Sequence, residues 1–339
     1  MAARRAPVRM SDVAKLAGVS IATVSNYFNK PEKLSAASRE TVAAAVKQLR
    51  FVPNGVARAL ARGNHPVVGI VVLDLSNPFF GGAARGLEDR LAQAGIMLTV
   101  SSSDEDAARE TMYLRLLEEH SVAGIVITPA TASLRLVERI AERGTPVILL
   151  GRRQPDDAGL CAVTSDDGLG AAMIAKHLLE LGHDRVVYVN GAGATRSLGP
   201  RREALRTTLE AAGAAFVELI TPTMSIAGGE LAARGVLEMA TLPTAVVCAN
   251  DLLALGVYEV LRDKGIRVPD DLALVGYDDA DFSRSLSVPL TSVRQDRHAL
   301  GFRAGDLLLA ELCDDAHEHQ ELLFPPELVI RESTAGVGA

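Results

Sequence analysis

Short polar side chains crowd one stretch near the start of the chain. Ser20, Thr23, Ser25 and Asn29 offer hydroxyl and amide donors of the kind that bond phosphate oxygens. Ala22 and Asn26 stand four apart, so in a helix they share a face. The surrounding charge suits a polyanion: residues 1–64 hold eleven Lys and Arg against Asp12, Glu32 and Glu40, a formal +8 in a chain whose total is -7. A merely solvated basic face is the bland alternative. A second candidate, Ser165-Asp166-Asp167, pairs two carboxylates, but at a predicted helix start, where acids favour the dipole. Signatures of turnover are missing. Gly191-Ala192-Gly193 is not a dinucleotide fingerprint, and no phosphate loop, Gly-x-Ser-x-Gly elbow or His-x-x-x-His pair occurs. Cys161, Cys248 and Cys313 lack ligand spacing and read as buried thiols, so no metal and no cofactor is expected.

Helices must position the polar cluster. Ser11 is the expected N-cap of a first helix, 12–17. Gly18 makes a turn, Ser20 caps a second helix to about Phe28, and Ser35 caps a third over 36–49. Val42, Val46 and Leu49 lie on one face of the third, and Val13, Leu16, Val19, Val24 and Phe28 are predicted to close a small core on it. Pro53 ends this module. Residues 54–61 are too short for a helix stable alone, Gly55 weakens them further, and 62–66 read as a linker. From Val67 apolar runs alternate with amphipathic stretches, which predicts parallel sheets covered on both faces, in two lobes. Gly95, Gly144, Gly182, Gly213 and Gly265 fall at predicted helix C-termini.

The run from Asp12 to Asn26 (DVAKLAGVSIATVSN) resembles the head of the lactose-repressor (LacI/GalR) family. Phe51-Val52-Pro53-Asn54 and Val56-Ala57-Arg58-Ala59-Leu60 resemble its hinge. Asn77-Pro78-Phe79-Phe80, the segment 177–183, Ala249-Asn250-Asp251 and Tyr277-Asp278-Asp279 are similar to its core signatures. The resemblance implies an α/β protein: a small all-α helix-turn-helix head plus a two-lobed periplasmic-binding-protein-like core of parallel sheets flanked by helices. The expected divisions are head 1–53, hinge 54–65 and core 66–339, with lobe 1 at 66–163 and 294–324 and lobe 2 at 164–293 and 325–332.

By that resemblance Ile21, Ala22 and Asn26 read base edges in the major groove. Asn suits adenine N6/N7, and Ile or Ala a thymine methyl. Many relatives carry Arg where Asn26 stands. Leu60 of each subunit wedges into a minor-groove base step beside Ala57, with Asn54 and Arg58 near phosphates. Arg201, Asn250 and Asp278 match polar effector contacts, and Phe79 and Phe80 would cover an apolar ligand face. Gly151 replaces an Asp, and Met224 an aromatic, found in some sugar-responsive relatives. With Arg152 next to Gly151, an anionic ligand is also conceivable, because Arg152 and Arg201 would both face the cleft. Structural alternatives stand beside these roles: Asp278 as a turn former, Arg201 as a solvated helix start, Asn250 or Asp251 as a helix cap.

The reading is a DNA-binding transcriptional regulator, a repressor, not an enzyme, whose affinity for a palindromic double-stranded operator follows a small effector, most simply a sugar or sugar derivative. A nucleobase or anionic corepressor is the alternative ligand. A transport receptor is the rival class; the basic head and the lack of an apolar leader after Arg4, Arg5 and Arg9 argue against it and for the cytoplasm. No membrane partner is expected. A homodimer is, and no heptad tail precedes Ala339 to pair dimers.

Overall fold

The computed structural model describes residues 10–49, 51, 67–129, 133–153, 159–192, 198–314 and 316–334. The chain divides into two units, Met1–His65 and Pro66–Ala339. The hinge residues Asn54, Ala57, Arg58 and Leu60 lie outside the described residues.

The first unit packs three helices, Met10–Ala17, Ile21–Asn29 and Ala36–Leu49. Ser20 caps the second, its hydroxyl accepting from the Thr23 N–H at 3.0 Å. Ser35 accepts likewise from Ser38 at 3.2 Å. Two expectations fail here. Ser11 lies within the first helix rather than capping it. Leu16 is 44% exposed, because Val13, Ala14 and Ala17 define the inward face and Leu16 sits roughly 100° around the helix from it. Val13, Ala14, Val24, Val42, Ala45 and Phe51 form the core, with Val19, Phe28, Val46 and Leu49 packed against it.

In the second unit strands β1 (Val67–Val72), β2 (Met97–Ser102), β3 (Gly124–Ile127), β4 (Val147–Leu150) and β5 (Cys161–Ser165) belong to one sheet. Strands β6 (Arg185–Gly191), β7 (Ala215–Thr221), β8 (Ala245–Cys248), β9 (Ala273–Asp278) and β10 (Thr291–Arg294) belong to another. The chain then returns to each in turn with β11 (Glu321–Phe324) and β12 (Glu327–Val329). The orders are β11-β5-β4-β3-β1-β2 and β12-β10-β9-β8-β6-β7. All pairs are parallel except β10 with β12. Runs such as Val67–Val72 and Val147–Leu150 are almost wholly buried, as a sheet covered on both faces requires.

The chain crosses between the lobes after β5, after β10 and between β11 and β12. The helices following β5 and β10 begin at Asp167 and Arg297. Gly95, Gly144, Gly182, Gly213 and Gly265 all have positive φ just past a helix end. No described helix is long and apolar enough to cross a membrane. Of the thiols, Cys161 and Cys248 are buried but Cys313 is exposed, against the reading of all three as buried.

Candidate functional site

The carboxyl ends of the strands in both sheets meet at one cavity, the position where open α/β sheets bind ligands. It encloses about 570 Å³ continuous with solvent. Lobe 1 lines it with Leu73, Asn77, Phe79, Phe80, Thr128, Gly151 and Thr164. From the other side come Asp167, Leu198, Arg201, Met224, Ala249, Asn250 and Asp278, with Gln295 at a crossing.

Asp278 is held there by an unusual backbone. Asp278 and Asp279 both have positive φ, 103° and 48°, a strain that neighbouring contacts must over-determine. Asp279 is gripped by Arg294 at 2.8 Å and Arg331 at 2.6 Å. Buried Asp251 accepts from the Ala280 N–H and the Ser283 hydroxyl, both at 2.6 Å, and from the Ser292 hydroxyl at 2.7 Å. The chain does turn here, yet the Asp278 side chain is buried among cavity-lining groups. It accepts from Asn77 Nδ2 at 3.0 Å and Gln295 Nε2 at 2.8 Å. Burial pushes its carboxyl up to about 6, against the pull of Arg201 and the two amides.

Arg201 is 5% exposed in the first turns of the helix Gly199–Ala211, not a solvated helix start. Nη2 donates to Asp167 at 2.7 Å, Nη1 to the Ala249 carbonyl at 2.5 Å, and the guanidinium carbon lies 3.3 Å from the Tyr277 ring centroid. Burial opposes its charge; Asp167, Tyr277, Tyr188 and Asp278 outweigh that and hold it firmly protonated. Asp167 is thus part of the site and not only a dipole acid. Its neighbour Asp166 supplies the cap, accepting from Leu169 at 3.0 Å.

Asn250 lines the cavity and is also the N-cap of the helix Asp251–Asp263. It accepts from the Leu253 N–H at 2.9 Å and donates to the Met224 carbonyl at 3.0 Å. Asp251 does not cap. The Phe79 and Phe80 rings meet edge to face at 5.2 Å, placed by Asn77, which caps their helix and accepts from the Phe79 N–H. Arg152 does not line this cavity. It borders an adjoining one with Thr164, Asp167 and Pro200, and donates to the Pro129 carbonyl at 3.3 Å. Asn77, Gln295, Thr128 and Thr164 are polar cavity residues that the sequence reading does not pick out, though Asn77 stands inside a signature; Asp167 is named there only as one of two helix-start carboxylates.

In the head, Ile21 is 55% exposed at the start of the second helix, Ala22 is exposed beside it, and Asn26 is half-buried on the Ala22 face. Ser20 and Thr23 bond each other at 2.9 Å. Asn29 closes the helix.

A helix-turn-helix unit joined in one chain to a two-lobed core with a polar interlobe cavity defines a DNA-binding regulator with an effector-binding domain. Residues 9–54 match the lacI family of bacterial regulatory proteins, and 175–334 match a periplasmic binding protein-like domain. The HTH-type transcriptional regulator DegA of Bacillus subtilis is 32% identical over 96% of this chain and 97% of its own. The lac repressor dimer bound to operator and the anti-inducer ONPF superposes with a TM-score of 0.82 at 28% identity, covering 97% of this chain and all of that one. A LacI family regulator from Enterococcus faecium with bound ribose covers 79% of this chain and 98% of its own, with a TM-score of 0.73 and 28% identity. The chain belongs to the lacI family.

Proposed function

We propose that this regulator is a non-enzymatic, cytoplasmic homodimeric repressor that reads a palindromic operator and answers to a neutral polyhydroxylated ligand, a sugar or sugar derivative, held between its lobes. The observation that carries the ligand class is the charge balance of the cavity. Arg201 is matched by Asp167, Asp278 adds a second carboxylate, and Arg152 stands outside. An anionic ligand would meet net negative charge. Hydroxyl groups can instead donate to Asp278 and receive from the amides of Asn250 and Gln295, with the Phe79 ring against the carbon skeleton. The test is calorimetry across neutral sugars, polyols, sugar phosphates and nucleobases, followed by operator shift with each binder. Tight binding confined to phosphorylated sugars or nucleobases would defeat the assignment.

Asp278 makes that binding pH-dependent. A ligand hydroxyl donates to the carboxylate, so apparent affinity should fall as pH drops through about 6. Asp278→Asn should bind more weakly and lose that dependence. Calorimetry at several pH values measures both; an unchanged profile in the variant counts against Asp278 as an acceptor.

For DNA reading the assignment is Ile21, Ala22 and Asn26 to base edges, and Ser20, Thr23, Ser25, Asn29, Asn54 and Arg58 to phosphates. Leu60, beside Ala57, is the minor-groove wedge. Asn26→Ala should cost about 1–3 kcal/mol at one symmetric operator position and relax discrimination there. Leu60→Ala should weaken specific binding more than non-specific binding, since only the kinked complex uses the wedge. Equal losses on random DNA would reject these roles.

Dimerisation is assigned to equivalent edges of the two lobes. On lobe 1 Met97 is 62% exposed on edge strand β2, and Met112 and Leu116, four apart on one helix, are 48% and 41% exposed. On lobe 2 Ile220 on edge strand β7 is 55% and Leu231 50% exposed. Such patches mark interfaces. Met112→Glu with Leu116→Glu should yield monomers by ultracentrifugation and weaken operator binding; dimers of undiminished stability would place the interface elsewhere.

A further inference from the structure

We propose that Cys161, His317 and His319, with Glu311 beside them, form a binding site for a divalent transition-metal ion of the zinc class. The site is distinct from the effector cavity. Cys161 begins β5, and Thr164, which lines the cavity, is near the other end of the same strand. His317 and His319 lie in the loop that joins the helix Arg297–Cys313 to β11, and Glu311 is in the last turn of that helix.

Three side chains of the right chemistry converge here, a thiol and two imidazoles, donor classes that zinc and its neighbours take, and the Glu311 carboxylate stands beside His319. The spacing fits as well. Bonds of about 2.3 Å to sulfur and about 2.05 Å to nitrogen at a tetrahedral angle separate the two ligand atoms by about 3.6 Å. Cys161 Sγ is 3.2 Å from His317 Nε2 and 3.7 Å from His319 Nδ1. His319 Nδ1 is 3.6 Å from Glu311 Oε1, beyond a hydrogen bond, so this carboxylate flanks the three ligands. The three Cys and His ligand atoms all lie within 4.8 Å of one another. The two rings stand nearly perpendicular, at 82°, so they approach the sulfur from different directions.

Hydrogen bonding can satisfy the sulfur, which receives the Gln320 N–H at 3.4 Å and can give its proton to one imidazole while accepting from the other, but it leaves the neighbouring carboxylate short. The other Glu311 oxygen, Oε2, is buried with no partner among the described residues, a costly arrangement for a carboxylate. A divalent ion supplies the missing charge. On binding, the Cys161 proton leaves to solvent and the thiolate takes its place as ligand. The ion then ties β5 to the loop that leads into β11, so loading should raise Tm.

The test uses the full chain, stripped with a chelator and titrated with Co2+ alone. One Co2+ per chain should bind, with a thiolate-to-cobalt charge-transfer band and the intense visible bands of a tetrahedral ion, and Zn2+ should bleach both. Cys161→Ser should abolish the charge-transfer band. His319→Ala should weaken Co2+ binding by about tenfold or more, and Cys313→Ser, at the exposed thiol, should change nothing. If Cys161→Ser fails to fold, the decision falls to His319→Ala, whose side chain is 35% exposed. No charge-transfer band at stoichiometric Co2+, a band that survives in Cys161→Ser, full affinity in His319→Ala, or loss in Cys313→Ser would each overturn the site.

Discussion

Asp278→Ala should leave operator affinity unchanged and remove the response to effector. The carboxylate lies in a cavity of the core unit, so the head should read DNA as before. The ligand, however, loses hydrogen bonds to a charged acceptor, worth about 1.5–3 kcal/mol each. Two such bonds weaken binding by roughly 100-fold or more. The switch goes with them, because a ligand shifts two states only by its differential affinity for them. Asp278 is well placed to be that difference. It already accepts from Asn77 of the other lobe, so a ligand that takes this carboxylate exchanges one interlobe bond for others. If ligand normally releases DNA, the variant represses permanently; if ligand recruits the protein, it fails to repress. Arg201→Ala should lose the response too, but for a second reason. It leaves half-buried Asp167 with the Tyr277 hydroxyl but without its cation, so a fall in Tm should accompany it, whereas Asp278→Asn should stay folded. Calorimetry, operator shift and thermal melting on the three variants separate these outcomes. Full ligand response in both alanine variants would move the effector site elsewhere.

A fragment beginning at residue 66 should bind effector with wild-type affinity and show no specific operator shift. Residues 1–64 carry +8 and the remainder -15, so the fragment lacks both the reading helix and the charge that attracts phosphate. The two units are compact by themselves, and removing the first leaves the core strands from β1 onward intact. The expected loss is total for specific binding at physiological salt. A specific shift by the fragment, measured against random DNA, would relocate the DNA site to the core.

Much of this was legible without coordinates because it is local. Gly18 has positive φ and Ser20 caps the next helix because those features depend on a few neighbouring residues. Runs such as Val147–Leu150 and Ala245–Cys248 are strands, since a continuous apolar segment between turn signals has few other uses in an α/β chain. Leu16 failed for a different reason: helical angle decides which of two adjacent apolar faces is buried, and the sequence offers both. Asn250 and Asp251 stay open as alternative caps in the sequence because both residue types suit the position. Only the presence of Ser283, Ser292 and the Ala280 N–H around Asp251 tells them apart.

The sequence by itself determined the architecture and the family, since hydrophobic period, turn residues and a contiguous helix-turn-helix pattern are written in neighbours. What the tertiary structure decided is how distant polar groups pair. Arg201 is matched by Asp167 from 34 residues away and Asp278 by Asn77 from 201. Arg152, adjacent in sequence to a cavity-lining glycine, is turned into another cavity. Cys161 meets His317 and His319 across more than 150 positions. Charge balance in a cavity and ligand sets for an ion are sums over groups converging in space. The sheet order β11-β5-β4 that brings such groups together is set by burial of the apolar strands, which places the polar ends without specifying their partners.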